Sequence, residues 1–508
     1  MEKIIGMVKS IEEINLKICD GSAVVVTAEE MPDIVSDLGE EGALREVDVV
    51  TTGTFGAMCS SGAFLNFGHA DPPIRMERIW LNDVEAYAGI AAVDAYIGAT
   101  QESTTEGSKY GGAHVIEDLV SGRQIELRAI SKGTDCYPRR TITTELLLED
   151  LNQAVMVNPR NAYQSYNAVI NRSDRTLNTY MGMLLSNQGN ISYSGAGLLS
   201  PLANDPTFNL IGSGVPLFLG GGEGVIVGEG TQSSPSNGFG TLMVSGDLTS
   251  MTPDYLRAAS FTGYGVSLYV GLGIALPMIN LDAVKNCAVR DEDLITSIVD
   301  YGTPRRDRPV VRTVSYAELK SGHVEIDGEM VRTSSMSSYS HARQVAQELK
   351  SLVEAGSFTV ALPTRRINTG KRSHPMRETK QTPRIREIMN SAVTTITEDE
   401  SVKTAARKLL RGETNHLPVI DLQGKLVGII TTYDVSKSVL LKGDSLKVSE
   451  IMSKKVVVVT PDEPVDVAAQ RLEQHNISAL PVVDGEFHVI GILNAVDLGK
   501  LFSRRWQP

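Results

Sequence analysis

The sequence predicts an α/β protein in two parts, a large glycine-rich region followed by a duplicated C-terminal module. Three observations carry that expectation. Strand-like apolar runs alternate with helical stripes through the first 362 residues. Glycine is concentrated there, since of 46 glycines only Gly412, Gly424, Gly428, Gly443, Gly485, Gly491 and Gly499 follow residue 384. The last part repeats itself at an ungapped offset of 63 residues: Glu387-Ile388-Met389 recurs as Glu450-Ile451-Met452, Leu417-Pro418-Val419 as Leu480-Pro481-Val482, and Gly428 to Asp434 as Gly491 to Asp497.

In chain order, Ser22 to Val26 and Gly224 to Val227 read as strands. His341 to Leu352 reads as an amphipathic helix, because Val345, Leu349 and Leu352 recur at spacings of four and three. The serine-rich SSMSSYS run ahead of it suits helix capping. Each repeat then has the same order: an E-I-M turn, a β-branched strand (Val393 to Ile396; Val456 to Val459), an apolar-striped helix, the L-P-V strand and a last strand ending in an aspartate. Expected boundaries are 1–362 for the large region, 363–383 for a basic linker, and 384–445 and 446–508 for the repeats. Between Pro363 and Arg386 the linker holds Arg365, Arg366, Lys371, Arg372, Arg377, Lys380, Arg384 and Arg386 against a single acid, Glu378. It reads as a solvated hinge, or as a docking strip for an acidic partner or ligand phosphates.

A net charge of −13 over 508 residues argues against a nucleic-acid footprint, which needs a basic face. Cys19, Cys59, Cys136 and Cys287 form no C-x-x-C pair, so spacing supports no metal site. The first twenty residues interrupt their apolar positions with charges, and the longest apolar run, Val270 to Ile279, is too short to cross a bilayer. These features predict a cytoplasmic protein with reduced thiols and no membrane contact.

Gly220-Gly221-Gly222-Glu223-Gly224 invites reading as a phosphate cradle, but it lacks a following lysine and helix, so close packing or a turn accounts for it as well. Two cysteines are candidate nucleophiles. Cys59 lies in the small, polar, turn-rich TTGTFGAMCSSGA, and Cys136 lies in GTDCYPRR beside Arg139 and Arg140, whose positive charge favours thiolate while Asp135 opposes it. Cys19 and Cys287, among apolar neighbours, are expected to be buried small hydrophobes. His114, with Glu117 in YGGAHVIEDL, is a candidate acid–base group, and a helix-start histidine fits equally.

The duplicated part resembles a tandem pair of cystathionine-β-synthase (CBS) domains, a Bateman module, over about residues 384–505. The resemblance implies two clefts that take adenosyl ligands such as S-adenosylmethionine or methylthioadenosine, and a homodimer formed through the pair. In the family's G-h-h-[ST]-x-x-D pattern the hydroxyl and carboxylate reach the ribose; Thr431 and Asp434 fit it, while the second copy has Asn494 with Asp497.

The segments FGAMCSSGAFLNFGH, YGGAHVIEDLVSG, GTDCYPRR, GSGVPLFLGGGEGVIVGEGTQ and SSMSSYSHARQVAQELK resemble the archaeal homocysteine-biosynthesis family, the L-aspartate semialdehyde sulfurtransferases. The resemblance spans residues 5–365 and makes the large region catalytic. It implies a sulfurtransferase turning L-aspartate semialdehyde into homocysteine, with sulfur carried as a persulfide at Cys136 and Cys59 as second candidate. His114, Glu117, Arg139 and Arg140 lie in the matching motifs, and their own chemistry suits His114 as acid–base partner and Arg139, Arg140 and Glu117 for substrate binding. Replacing an aldehyde oxygen by sulfur and reaching the thiol requires two electrons. The chain shows no dinucleotide fingerprint, so the resemblance implies an external electron donor, a small ferredoxin-type protein. One alternative is a non-catalytic protein that docks a partner according to adenosyl-nucleotide level. Another, a CBS-regulated oxidoreductase, would need a phosphate-binding barrel pattern that the sequence lacks.

Overall fold

Ser338 caps the helix Tyr339–Glu354 by accepting the His341 amide, as the serine run predicts. Ala342, Val345, Ala346, Leu349 and Val353 form its buried stripe. The helix packs on the strands Thr54–Ala57 and Gly265–Gly273 so closely that a Cβ on Gly53 would stand 2.1 Å from the Ala342 carbonyl oxygen. Glycine at 53 is therefore a packing requirement.

The structure is a computed structural model that describes residues 9–303, 307–374, 376, 382–441 and 446–505. They form two compact units, one within 1–302 and 308–374, the other within 303–307 and 375–508. The first unit is mixed α/β. A nine-stranded sheet runs through Leu256–Phe261, Gly265–Gly273, Pro216–Leu219, Gly222–Glu229, Leu242–Asp247, Gln153–Asn161, Gly62–Asn66 and Asp94–Gly98, and Thr54–Ala57 pairs back onto Gly265–Gly273. Its pairings are all antiparallel. A six-stranded sheet orders Thr141–Leu146, Ile125–Ile130, Arg78–Leu81, Val84–Ala86, Glu102–Ser103 and Gly107–Gly111. A second orders Val310–Ser315, Ile295–Asp300, Ala168–Ile170, Ile191–Tyr193, Glu329–Ser335 and His323–Ile326.

Gly220 and Gly221, at φ +61° and +105°, make the turn between Pro216–Leu219 and Gly222–Glu229. That stretch is a β-hairpin, because left-handed backbone is open to glycine and the next element is a strand. The basic segment is partly docked on the first unit: Arg365–Arg366 pairs with Gly212–Ser213, and Lys371 bonds Glu229 at 2.5 Å. Arg377, Glu378 and Lys380 lie outside the described residues, as do residues 1–8.

In the second unit the duplication becomes a pseudo-twofold. Asn390 pairs with Ile492 and Ser453 with Ile429; Arg384 pairs with Pro464 and Lys447 with Ser401. Each is the same contact read from the other repeat, the reciprocity of an isologous interface. The expected strand Val393 to Ile396 is reduced to Ile396–Thr397, and Val456 to Val459 to a single bridge from Val459 to Val482. The chain just before each is held by the other repeat, which leaves only its end for the L-P-V strand. Opening segments are exchanged too, since Ile385 packs among Val459, Val465, Leu480 and Leu493 while Val448 packs among Ile396, Leu409, Leu417 and Ile430.

Candidate active site

Cys59 sits where one chain segment changes partner. Thr54–Ala57 pairs with Gly265–Gly273, Gly62–Asn66 pairs with Gln153–Asn161, and the intervening turn closes the sheet's path onto its own second strand. The turn is fixed by polar bonds: Ser61 donates through both its amide and its hydroxyl to the Met58 carbonyl, Asn158 Nδ2 donates to Ser61 Oγ, and Ser60 donates to Asn158 Oδ1. Asn158 and Ser61 are buried. A small polar turn is what the sequence around Cys59 called for, because bulkier side chains could not share this corner. The thiol lies 3.2 Å from Ser267 Oγ and shares a cavity wall with Tyr264.

Cys59 faces a cavity of about 910 Å³ whose wall includes Arg160, Tyr163, Tyr166, Tyr180, Tyr264, Tyr301 and Arg308. Tyr264 is carried by the turn between Leu256–Phe261 and Gly265–Gly273, with Gly263 at φ +67° and Gly265 at φ +141° on either side. Glycine at both places lets the turn present the phenol to the cavity. A Cβ on Gly263 would stand 2.6 Å from Asn178 Nδ2, in the hairpin that carries Tyr180 at its tip. The Tyr180 and Tyr301 hydroxyls are 2.5 Å apart, and the Arg308 guanidinium lies over the Tyr301 ring at 4.4 Å. Burial pushes Tyr163 up to about 12, Arg160 opposing and Cys59 adding. Tyr264 rises to about 12 for the same first reason, reinforced by Cys59. Both phenols keep their protons at neutral pH. Arg160 and Arg308 can take a carboxylate, the thiol can attack a carbonyl, and the rings exclude water.

The structure places the other predicted residues elsewhere. Cys136 is exposed in the loop between Ile125–Ile130 and Thr141–Leu146, closed by mutual Thr134 and Tyr137 backbone bonds. Tyr137 stacks on His69 at 5.9 Å. Cys59 precedes the strand Gly62–Asn66 and His69 follows it, so the two thiols lie toward opposite ends of a strand roughly 16 Å long. Arg139 donates to the Asp71 carbonyl at 3.0 Å, and the Arg140 stem packs on Gly133. His114 is a helix-start residue: its Nδ1 accepts the Gly111 amide at 3.1 Å, its ring stacks on Tyr110, and burial holds it below the usual histidine value. Glu117 accepts the Ala258 amide at 2.8 Å and pairs with Arg257 at 3.5 Å. None of these five is among the described residues lining the cavity. Cys287 is buried as expected, but Cys19 is exposed, because Ile14 and Ile18 fill the buried face of the helix Ile11–Asp20.

Sequence reasoning missed Arg160, Arg308 and the five tyrosines. A signal existed: tyrosine outnumbers phenylalanine 15 to 10, and Tyr264 stands between two glycines.

In the second unit Thr431 and Asp434 form a reciprocal capping box on the helix Thr432–Leu441: Asp434 Oδ2 accepts from Thr431 N and Oγ1, and Asp434 N donates to Thr431 Oγ1. The second copy is half of one. Asn494 N donates to Asp497 Oδ2 at 3.1 Å, while Asn494 Oδ1 is buried without a partner. His416 pairs with Thr431 in the sheet, is held low by burial, and bonds Ser478 at 2.9 Å. Its equivalent in the second repeat is Ala479, so the two clefts differ chemically. Among the described residues no cluster of three or more His, Cys, Asp or Glu could hold a metal ion, and no helix is long and apolar enough to cross a membrane.

Residues 23–360 match the family described as "Homocysteine biosynthesis enzyme, sulfur-incorporation", and 385–441 and 448–503 each match the CBS domain. The L-aspartate semialdehyde sulfurtransferase of Methanosarcina acetivorans is 52% identical over 98% of this chain and 99% of its own. That of Methanocaldococcus jannaschii is 49% identical over 98% and 99%. The crystal structure of the CBS domain pair of protein MJ0100 in complex with 5′-methylthioadenosine and S-adenosyl-L-methionine is 35% identical, covering 25% of this chain and 99% of that one at a TM-score of 0.24.

Proposed function

The chain belongs to the homocysteine biosynthesis, sulfur-incorporation family, and from that premise we propose that Cys59 is the thiol through which it delivers sulfur to the aldehyde carbon of L-aspartate semialdehyde. The enzyme is a sulfurtransferase, and homocysteine is its product. The observation carrying the reading is that the Cys59 thiol opens into a cavity that also holds Arg160 and Arg308. A guanidinium takes a carboxylate through paired hydrogen bonds, so either arginine can hold the amino-acid end while the aldehyde meets the sulfur.

Cys136, exposed near Arg139 and Arg140, is the donor-facing thiol, able to receive sulfane sulfur from outside. His114 and Glu117 are positioning residues that hold the helix Gly112–Val120. Aldehyde, sulfide, two electrons and two protons give thiol and water; sulfur arriving as a persulfide takes two electrons more. A ferredoxin-type protein is the external donor, and a reducing cytoplasm suits the four free thiols.

The CBS pair is the regulatory part and mediates a homodimer. It takes an adenosyl ligand, S-adenosylmethionine or methylthioadenosine, whose ribose meets Asp434 in one cleft and Asn494 with Asp497 in the other. The orphaned Asn494 oxygen supports this, since a ribose hydroxyl can satisfy it. Product formation from aspartate semialdehyde, sulfide and a reductant tests the catalytic reading. Cys59→Ser abolishes it; a Cys59→Ser enzyme as active as the parent overturns the assignment.

A further inference from the structure

We infer that Tyr264 is the acid that protonates the aldehyde oxygen as sulfur from Cys59 adds to the carbon, and that Tyr180 and Tyr301 resupply its proton. The inference rests on Cys59 as the substrate-facing sulfur carrier.

Elimination carries much of it. Addition of sulfur to a carbonyl leaves an alkoxide that must gain one proton to become the hydroxyl adduct and a second to depart as water, so some group at the cavity has to supply the first. Among the described residues lining the cavity there is no histidine, aspartate, glutamate or lysine. The arginines do not release protons in this range. The phenols remain, and Tyr264, on its glycine-flanked turn, shares the cavity wall with Cys59 and stands next to Tyr180.

Geometry does the rest. The Tyr264 and Tyr180 rings are 6.0 Å apart, the Tyr180 and Tyr301 hydroxyls are 2.5 Å apart, and Arg308 lies over the Tyr301 ring. Tyr264, Tyr180 and Tyr301 therefore form a chain of phenols along the wall of the Cys59 cavity that ends at a guanidinium. Burial keeps Tyr264 protonated at neutral pH, which suits a donor and not a base. In the step, the sulfur–carbon bond forms while the carbonyl π bond breaks, and its electron pair moves to oxygen. That oxygen takes the Tyr264 proton. The Tyr264 phenolate regains its proton from Tyr180, and Tyr180 from Tyr301, whose phenolate stands by the Arg308 guanidinium until bulk solvent reprotonates it. No electron is exchanged.

The test uses the full-length enzyme with Cys59→Ser, Tyr264→Phe and Tyr180→Phe, scored by kcat, KM and the rate of Cys59 alkylation by iodoacetamide at neutral pH. Tyr264→Phe lowers kcat by about 100-fold with little change in KM, and it alters the alkylation rate because Tyr264 and Cys59 interact electrostatically. Tyr180→Phe also lowers kcat but leaves alkylation unchanged, since it acts through Tyr264. Parental kcat in Tyr264→Phe, with Cys59→Ser inactive, overturns the acid while sparing the carrier. Parental kcat in Tyr180→Phe overturns the relay. An active Cys59→Ser removes the carrier reading and this inference with it.

Discussion

Lys425 and His488, 63 residues apart, pair with each other as an antiparallel bridge. Each is the other's counterpart in the duplication, so the axis relating the two repeats passes between them. The equivalence extends to ion pairs, since Lys408 bonds Glu400 at 3.0 Å as Arg471 bonds Glu463 at 2.7 Å. The axis does not make these equal in energy. Arg471 and Glu463 side chains are 14% and 10% exposed, against 33% for both Lys408 and Glu400. Breaking a buried pair costs about 3–5 kcal/mol, while an exposed one contributes under about 1 kcal/mol. Urea denaturation is expected to find Arg471→Ala far more destabilising than Lys408→Ala; equal losses contradict the difference in burial.

The two clefts should likewise part company. Asp434→Ala removes a carboxylate assigned to the ribose and is expected to weaken S-adenosylmethionine binding by at least about 10-fold. Calorimetry checks it. AMP or ATP binding in place of adenosyl sulfonium or thioether ligands would replace the ligand class.

Arg308 is assigned to the substrate carboxylate or its approach. Arg308→Gln is expected to raise KM for aspartate semialdehyde by about 10-fold or more, the range for a lost charged hydrogen bond, with kcat less affected. Steady-state kinetics decides, and a fall in kcat alone places Arg308 in the chemistry instead.

Asp48 supplies a pH dependence of stability. Burial alone would raise its carboxyl, but Lys9, Lys17 and the Val24 amide hold it below the usual carboxylate range. A depressed folded value stabilises above the unfolded one, 3.8, and that contribution is lost as pH falls through the folded value. Tm should therefore drop on acidification below about pH 4. Asp48→Asn strands the Lys9 ammonium, 9% exposed, at about 3 kcal/mol at neutral pH. Thermal scans across the acid range should show that variant losing part of the acid slope.

Gly53→Ala drives a Cβ into backbone at 2.1 Å from the Ala342 oxygen and 2.8 Å from the Ala346 nitrogen. Neither neighbour is a side chain that can swing away. The expected cost is about 3 kcal/mol or more, above ordinary overpacking, read as a lowered urea midpoint; Gly485→Ala, with open space, serves as the control.

Legibility followed the range of the signal. The capped helix Tyr339–Glu354 and the L-P-V strands were readable because capping and periodicity are local. Cys59 was named as the second candidate thiol, after Cys136, from a small, polar turn that the fold does require. The cavity wall was not readable, because Tyr163, Tyr180, Tyr264 and Arg308 come from separate turns and meet only when two hairpin tips are set against the 58–61 turn. Local pattern also marked His114 and Arg139, whose bonds in the fold go to Gly111 and Asp71.

By itself the sequence determined the duplication, the repeated glycine-to-aspartate motif, the family and the short list of thiols, since each is written in residues close together or at one fixed offset. Only the tertiary structure decided that Cys59 faces a cavity while Cys136 lies on an exposed loop, and that the repeats exchange their opening segments. Burial and proximity between distant residues are properties of packed surfaces, which no local pattern of residues encodes.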